Sequence, residues 1–305
     1  MSKRILITGA SGFLGTILTD SLKRSGYLVK TLGKKASNEY QIDLDAPKPG
    51  LMFDESFDIV IHAAGKAHSV PKTEIEKQAF YQTNYEGTKN LCAWLTSNGK
   101  VPKSFIFIST VAVYGLTTGT LVGEDHPLNG TSPYAQSKII AENWLANWSK
   151  AHQVTLAVLR LPLLAGPNPP GNLGAMIRGI SKGRYLSIGR ADARKSILSA
   201  DDIPAILPLL AEKGGIYNLT DGYHPSFGEL ETAIATALGK KQPPKVPEFI
   251  ARILAQIGNL MGNRSPINTD KLEKILSPLT FDDTKARDLL LWQPTSVLEK
   301  IKTFI

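Results

Sequence analysis

A glycine-rich turn near the N-terminus constrains the fold more than any other feature of this sequence. An apolar run typical of a β-strand leads into TGASGFLG at residues 8–15, and a predicted helix over residues 13–25 follows. The spacing is GxxGxxG, which differs from the commoner GxGxxG. Gly9 permits the tight turn, Gly12 lets the backbone approach a pyrophosphate, and Gly15 allows the helix to pack closely on the strand. A turn so placed favours dinucleotide binding over a plain strand–helix connection.

Strand and helix patterns alternate through the first 165 residues. The predicted strands cover residues 4–8, 27–32, 57–62, 104–109 and 155–161, and long helices are predicted over about 80–98 and 133–152. Apolar strands between helices are typical of a parallel sheet covered on both faces, so we predict a doubly wound, Rossmann-like α/β fold.

We expect two regions within this architecture. Residues 1–165, together with about 196–222, would form the dinucleotide-binding domain. After residue 161 the chain becomes rich in proline and glycine and then mixes short strands with helices. Residues 166–305 would therefore form a smaller α+β substrate-binding cap that is interleaved with the sheet.

Composition disfavours several classes of protein. A single cysteine, Cys92, allows no intrachain disulfide and no cysteine-based metal site, which favours a reducing compartment such as the cytoplasm. No apolar run is long enough for a membrane span. The net charge of +8 suits an anionic ligand, but the basic residues are scattered, so nucleic acid is disfavoured as a partner. The histidines lie in no metal-ligand pattern, and we expect no metal.

The choice of nicotinamide cofactor depends on the residues after the second strand. NAD enzymes usually carry an acidic residue there for the ribose 2′-hydroxyl, whereas this chain has LGKK at residues 32–35. Lys34 could pair with a 2′-phosphate, so NADP(H) is favoured and NAD(H) stays possible, as does the alternative that the lysines are merely solvated. Asp43 and Leu44 could face the adenine edge, although Asp43 could equally cap a loop.

A tyrosine and a lysine four residues apart are the candidate catalytic pair. Tyr134 and Lys138 share one face of a predicted helix, and a nearby ammonium would lower the pKa of the phenol towards a useful range. The alternative is an ordinary surface lysine beside a half-buried tyrosine. Ser109 and Thr110 strengthen the catalytic interpretation, because they end the most strand-like run and a hydroxyl there could bond a substrate oxygen.

Taken together, these motifs resemble the extended short-chain dehydrogenase/reductases, the NAD-dependent epimerase/dehydratase family, over nearly the whole chain. That family includes nucleotide-sugar epimerases, dehydratases and reductases. The resemblance implies that Thr110 is the catalytic hydroxyl, that Ile108 and Ser109 line the nicotinamide side, and that Arg194 grips a nucleotide diphosphate. It also implies that Asn84 supports the active site.

The motifs and the resemblance together define three sets of site residues. The catalytic set is Thr110, Tyr134 and Lys138. The cofactor set is Gly9, Ser11, Gly12, Phe13, Leu14, Gly15, Lys34, Asp43, Leu44, Ala63, Ala64, Gly65, Ile108, Ser109, Tyr134, Lys138, Leu161 and Pro162. The substrate set is His68, Thr110, Val111, Asn172 and Arg194. The resemblance further implies a homodimer formed through the helix of Trp144 and Trp148.

Departures from the family pattern narrow the expected reaction. The dehydratases carry Asp-Glu directly after the catalytic Thr, where this chain has Val111 and Ala112. The missing acidic residue after the second strand favours a reductase over an epimerase. Residues 162–195 resemble bacterial enzymes that act at C4 of UDP-linked acetamido-deoxy sugars in polysaccharide synthesis. We therefore expect NADPH-dependent reduction of a 4-keto nucleotide sugar. The alternatives are an NAD-dependent 4-epimerase, a non-catalytic dinucleotide sensor and a reductase of a non-nucleotide ketone.

Overall fold

A computed structural model describes residues 3–46, 53–67, 69–260 and 268–305. The strands are β1 (Arg4–Thr8), β2 (Leu28–Gly33), β3 (Tyr40–Gln41), β4 (Ile59–His62), β5 (Ser104–Thr110), β6 (Gly119–Val122), β7 (Thr155–Leu161), β8 (Leu163–Ala165), β9 (Ser187–Ile188), β10 (Ile197–Ser199), β11 (Gly215–Asn218), β12 (Lys245–Val246) and β13 (Leu279–Phe281). The α-helices are α1 (Phe13–Arg24), α2 (Glu74–Tyr81), α3 (Gly87–Ser97), α4 (Pro133–His152), α5 (Gly171–Ser181), α6 (Leu207–Lys213), α7 (Phe227–Ala237), α8 (Glu248–Leu260), α9 (Thr269–Leu276), α10 (Thr284–Leu290) and α11 (Val297–Phe304).

A seven-stranded sheet forms the centre of the molecule, in the order β11–β7–β5–β4–β1–β2–β3. Its neighbouring strands pair in parallel throughout. The strand order runs outwards in both directions from β1 and β4, so the prediction of a doubly wound parallel sheet is confirmed. The carboxyl ends of β1, β4 and β5 consequently lie side by side along one edge.

Side chains that alternate along the strands supply both faces of the sheet with apolar groups. Ile5 and Ile7 of β1 pack with α1, α6 and α10 on one face, whereas Leu6 packs with α3 and α4 on the other. Because successive side chains of a strand point in opposite directions, one short apolar strand can serve two cores.

The prediction of one regular helix over residues 80–98 is wrong about where the helix starts and about its regularity. It begins six residues earlier as α2, because the Thr73 hydroxyl accepts a hydrogen bond from the Glu76 amide and caps the first turn. A π-helical turn, Gln82–Glu86, then separates α2 from α3. By contrast, α4 begins where Ser132 and Pro133 predict it, with the Ser132 hydroxyl accepting from the Ala135 amide.

The C-terminal region adds small parallel strand pairs and a core of its own. β8 pairs with β10, β9 with β12 and β6 with β13. Helices α5, α7 and α11 share one apolar cluster, which includes Leu173, Leu230 and Val297. The proposed domain boundaries stay a prediction. β11, which lies within residues 196–222, belongs to the central sheet. Within the residues described, the helices are too short or too polar to cross a bilayer.

A buried ion pair fixes α4 to the sheet. The Arg160 guanidinium, on β7, lies 2.8 Å from the Glu142 carboxylate of α4, and each side chain is only 4% exposed. Ser109 donates to the same carboxylate, and Arg160 also donates to the Tyr114 hydroxyl at 3.2 Å. Because these charges are withdrawn from water, each depends on its partner for compensation.

Removing the cation alone should therefore destabilise the chain. Arg160→Met keeps the side-chain volume but leaves the Glu142 carboxylate buried and unpaired, and we expect the free energy of unfolding to fall by about 3–5 kcal/mol. The matched change Arg24→Met, at the exposed end of α1, should cost less than about 0.5 kcal/mol. Urea unfolding followed by tryptophan fluorescence measures both, and a loss below about 1 kcal/mol in Arg160→Met would contradict the interpretation.

Candidate active site

The glycine turn is built so closely that two of its glycines cannot carry a side chain. Gly9 has φ +69°, and a Cβ placed on it would lie 2.6 Å from the Ala64 nitrogen. A Cβ on Gly15 would lie 2.1 Å from the Gly9 carbonyl oxygen. Gly12, in contrast, is exposed and its Cβ would meet only the Gly9 oxygen, at 3.2 Å. The first and third glycines thus serve the packing, and the second leaves the backbone open to a ligand.

The start of α1 is suited to a phosphate group. Its N-cap is Gly12, and no side chain caps the first turn. Amide groups at a helix N-terminus that lack a capping side chain can donate to an anion, and the helix dipole adds attraction. The turn residues Ser11, Phe13 and Leu14 lie on this segment, as the sequence predicts. The turn can therefore hold the pyrophosphate of a dinucleotide.

A relay of hydrogen bonds joins the end of β1 to the π-helical turn. The Ala64 amide donates to the Thr8 hydroxyl at 3.2 Å, and that hydroxyl lies 2.6 Å from Nδ1 of His62. Nε2 of His62 lies 2.9 Å from the Thr88 hydroxyl, which donates to the Asn84 carbonyl at 2.7 Å. The network assigns the proton of the neutral ring to Nε2.

His62 is consequently a structural residue of the crevice. Burial, together with the nearby charge of Lys138, lowers its pKa to about 3, so the ring stays neutral near neutral pH. The relay positions Ala63, Ala64 and Gly65, the predicted cofactor residues that follow β4. A Cβ on Gly65 would lie 3.3 Å from the Lys138 amine, which shows how closely this loop approaches α4.

Lys138 is buried at the carboxyl end of β5. Its amine donates to the Ile108 carbonyl at 2.8 Å and lies 4.4 Å from the centre of the Phe107 ring. Burial lowers its pKa to about 8, although the negative charge of Glu142 acts in the opposite direction. The ammonium is thus held rigidly beside the edge where β1, β4 and β5 end.

Tyr134 lies one helical turn before Lys138 and is half-buried. Burial raises the pKa of its phenol, and a hydrogen bond with the Thr110 side chain lowers it to a smaller extent. This differs from the expectation that Lys138 lowers the pKa of the phenol, because the effect of burial is the larger one. The phenol therefore retains its proton at neutral pH, which suits a proton donor.

Thr110 completes the group. It ends β5, and its hydroxyl accepts from the Ala112 amide at 3.2 Å, so that it caps the 3₁₀ turn Val111–Tyr114. The structure thus brings Thr110, Tyr134 and Lys138 together along the crevice beside the glycine turn. Such a cluster can bind a carbonyl oxygen and deliver a proton to it.

Asn84 gains its position from the π-helical turn. Its side-chain oxygen accepts from the Lys66 amide at 2.7 Å, and its nitrogen donates to the Lys66 carbonyl at 3.1 Å and to the Ser137 hydroxyl at 2.9 Å. Asn84 therefore ties the loop after β4 to α4 between Tyr134 and Lys138. Helix periodicity contains no signal for a π turn, so the sequence predicts its supporting role only through the resemblance.

The residues after β2 form contacts among themselves. Lys34 is paired with Asp43 at 3.0 Å and with Asp45 at 2.6 Å, and the hydrogen bond to Asp45 raises its pKa. Its charge is thereby largely compensated within the chain. Leu44 is buried, and its carbonyl accepts from Asn90 at 2.8 Å. Asp43 and Leu44 thus organise this loop, and both Lys34 and Lys35 are exposed.

A carboxylate that the sequence analysis missed lies beside the glycine turn. Glu39 folds back on β2, where it accepts hydrogen bonds from the amide and hydroxyl of Thr31 and lies 3.6 Å from Lys23. Burial would raise its pKa, but the bonds from Thr31 outweigh that effect and lower it. With Ser11, Ser37 and others it lines a cleft of about 150 Å³. The sequence does not indicate this role, because Glu39 lies well past the end of β2, where the acidic residue of NAD enzymes is expected.

The remaining predicted residues lie in several places. Leu161 ends β7 and Pro162 follows it. The Ser109 hydroxyl is committed to Glu142. Asn172 is exposed at the start of α5. His68 lies outside the described residues.

Arg194 is held by the segment that leads into α7. Its guanidinium donates to the His224 carbonyl at 2.9 Å, approaches Glu229 at 3.5 Å and covers the Tyr223 ring. These contacts attach it to residues 223–229, and about half of its side chain stays exposed. An arginine in this position keeps donor groups available to an anionic ligand.

Comparison with known proteins identifies a family pattern over most of the chain. The pattern described as the NAD dependent epimerase/dehydratase family matches residues 5–220. A UDP-glucose 4-epimerase of Vibrio cholerae is 29% identical, with 98% of this chain and 93% of the relative covered. An N-acetyl-α-D-glucosaminyl-diphospho-ditrans,octacis-undecaprenol 4-epimerase of Escherichia coli O157:H7 is 27% identical over 93% and 89%. A GDP-6-deoxy-D-mannose reductase of Pseudomonas aeruginosa is 29% identical over 77% and 80%.

Solved structures share the fold over nearly the full chain. RMD from Pseudomonas aeruginosa, complexed with NADPH, superposes with a TM-score of 0.77 at 22% identity and covers 99% of this chain and 97% of its own. The Thermus thermophilus UDP-glucose 4-epimerase, in complex with NAD, superposes with a TM-score of 0.72 at 20% identity and the same coverage. At these identities the likeness concerns the fold.

Substitutions at two glycines of the turn should separate the effect on packing from the effect on ligand binding. Gly15→Ala places a methyl group against the Gly9 carbonyl, and we expect a loss of about 1–3 kcal/mol in the free energy of unfolding. Gly12→Ala should cost less than about 1 kcal/mol but should weaken dinucleotide binding by about tenfold or more, because the new methyl group lies on the exposed face. Urea unfolding and NADPH fluorescence titration measure the two effects. Equal losses of stability in both variants would contradict this division of roles.

Proposed function

Because this chain belongs to the NAD dependent epimerase/dehydratase family, we propose that it is a nucleotide-sugar oxidoreductase whose reaction is the NADPH-dependent reduction of a 4-keto sugar. The coarser class is an NAD(P)-dependent sugar-nucleotide enzyme of the short-chain dehydrogenase/reductase type. The observation that carries the proposal is the convergence of Thr110, Tyr134 and Lys138 beside an exposed, uncapped helix N-terminus.

Each residue of the cluster has a role that follows from its environment. When bound, the nicotinamide supplies hydride to the carbonyl carbon. Thr110 and Tyr134 hold the carbonyl oxygen by hydrogen bonds, and Tyr134 gives that oxygen its proton. The raised pKa of Tyr134 keeps this proton in place until negative charge develops on the oxygen. Lys138 contributes positive charge beside the phenol and a donor for a ribose hydroxyl.

The proposed substrate is a sugar carried on a diphosphate. The names of the three relatives describe sugars joined to UDP, to GDP or to diphospho-undecaprenol. We assign the diphosphate to Arg194 and a further contact to Asn172, with Val111 beside the sugar. A UDP-linked acetamido-deoxyhexose in polysaccharide synthesis is the specific substrate that we propose. Val111 and Ala112 stand where a 4,6-dehydratase needs acid–base groups, which disfavours water elimination.

We propose NADP(H) over NAD(H) as the cofactor. Support comes from Lys35, which is exposed after β2, and from the hydroxyl and amide groups of Ser11, Ser37 and Asn38 along the adjoining cleft. The carboxylate of Glu39 is already held by Thr31 and Lys23, so a ribose 2′-hydroxyl would have to compete for it.

We also propose that the chain forms a homodimer through α4. Trp144 of α4 is half-buried. Trp148 is buried in the chain's own core, and its indole nitrogen donates to the Thr96 hydroxyl at 3.3 Å. Trp144 rather than Trp148 is therefore the residue of this pair that could contribute to a contact between copies.

The reaction itself is tested with a panel of 4-keto nucleotide sugars and with NADPH and NADH, by following the loss of reduced-nicotinamide absorbance. We expect turnover with NADPH, and Tyr134→Phe should lower kcat by about 10²–10⁴-fold while NADPH still binds, because the variant loses only the proton donor. Tyr27→Phe, a half-buried tyrosine between α1 and β2, is the matched control and should keep full turnover.

Three other outcomes would contradict the proposal. Full turnover in Tyr134→Phe would remove the catalytic role of the phenol, and a binding chain without turnover would indicate a dinucleotide sensor. Interconversion of two UDP-sugars without added reductant, by protein that copurifies with NAD, would show a 4-epimerase in the same site.

The pH dependence should report on Lys138. Since its pKa is about 8, the ammonium is present below that value, and we expect kcat/KM of the free enzyme to fall as the pH rises through about 8. The raised pKa of Tyr134 keeps the phenol out of this step. Glu142→Gln removes the charge that favours the ammonium and should move the fall to lower pH, whereas Glu74→Gln on α2 should leave it in place. A fall that Glu142→Gln does not move would contradict the assignment.

A further inference from the structure

Helix α8 buries its small side chains and exposes its large ones. Ala251 and Ala255 are 2% and 1% exposed and pack with Leu272 of α9, and Gly258 is also buried. Phe249 and Leu260, in contrast, are 64% and 89% exposed. A helix that serves only to cover a core has the reverse arrangement, with its large apolar groups inside.

The exposed apolar groups of α8 form one continuous stripe. They are Phe249, Ile250, Ile253, Leu254, Ile257 and Leu260, six of the fifteen large hydrophobic residues that are exposed among the described residues. At 100° per residue they occupy an arc of about 140° on a helix about 20 Å long. The polar residues Glu248, Arg252, Gln256 and Asn259 occupy a separate arc, between the stripe and the buried small residues. A concentration of this size marks an interaction surface.

The sequence around α8 is basic. Residues 240–276 contain seven lysines and arginines against three acidic residues, a net charge of +4 in a chain whose total is +8. Lys240, Lys241 and Lys245 are exposed just before the helix begins. Arg252 is held by Glu248 and Glu273, each at 2.8 Å, which keeps the acidic groups engaged on the polar side.

We propose that α8 docks on an anionic lipid bilayer, with its apolar stripe at the boundary between headgroups and acyl chains. A single amphipathic helix with an aromatic residue in its apolar arc and lysines beside it is suited to lie in the plane of such an interface. A second copy of the chain would bring the same positive charge to the contact and be repelled by it. A lipid surface needs no complementary groove, and it supplies both the apolar layer and the negative charge.

Vesicle flotation with the full-length chain tests the proposal directly. We expect binding to vesicles of phosphatidylglycerol and phosphatidylcholine, and much weaker binding to phosphatidylcholine alone. The triple variant Phe249→Gln, Ile253→Gln, Ile257→Gln should bind anionic vesicles about tenfold less or weaker still, because it removes the apolar contact. The double variant Lys240→Gln, Lys241→Gln should lower the affinity for anionic vesicles by about tenfold. It should also make vesicle binding less dependent on salt concentration.

The matched control is Leu289→Gln, an exposed leucine of α10 outside the stripe, which should bind as the unchanged chain does. Thermal unfolding verifies that the variants stay folded, and the comparison of vesicle compositions needs no variant at all. Absence of binding to anionic vesicles would overturn the proposal. So would concentration-dependent self-association that the triple variant abolishes, since the stripe would then serve a second copy.

Discussion

Three buried charges, on Lys138, Glu142 and Arg160, hold together the edge of the sheet that carries the candidate active site. Lys138 and Glu142 lie one turn apart on α4, and Arg160 reaches the same carboxylate from β7, in register with Ser109 of β5. Charges withdrawn from water are stable only with near-ideal partners, so the helix has little freedom to slide or rotate on the sheet. Tyr134 lies one turn before Lys138, and Thr110 directly follows Ser109. The positions of both therefore depend on this restriction.

The same burial explains the protonation pattern of the site. It lowers the pKa of Lys138 and of His62 and raises that of Tyr134, so each group is shifted towards its neutral form. Spacing alone favours a tyrosine made acidic by its lysine, whereas the structure contains a phenol that keeps its proton. A proton donor must be protonated before hydride transfer begins. The negative charge that then develops on the substrate oxygen attracts the proton.

Local signals predicted most of the sheet and the framework of the site. The apolar runs that became β1, β4, β5 and β7, the glycine turn and the Ser132-Pro133 start of α4 all carry their information within a few residues. Sequence patterns say less where a partner is distant or a signal is weak. Lys34 pairs with Asp43 and Asp45 from a loop further on, Glu39 folds back over β2, and the Thr73 cap of α2 precedes a stretch with little apolar periodicity.

The π-helical turn shows how the fold accommodates its site. Regular winding from α2 into α3 would need one residue fewer between Gln82 and Glu86, and it would carry Asn84 about a quarter-turn away from Lys66 and Ser137. Within this turn, the Asn84 carbonyl accepts a hydrogen bond from the Thr88 hydroxyl. A relative that is one residue shorter here would have a regular helix, but its asparagine would no longer reach the loop after β4 and α4. The length of this segment therefore determines whether the crevice is assembled.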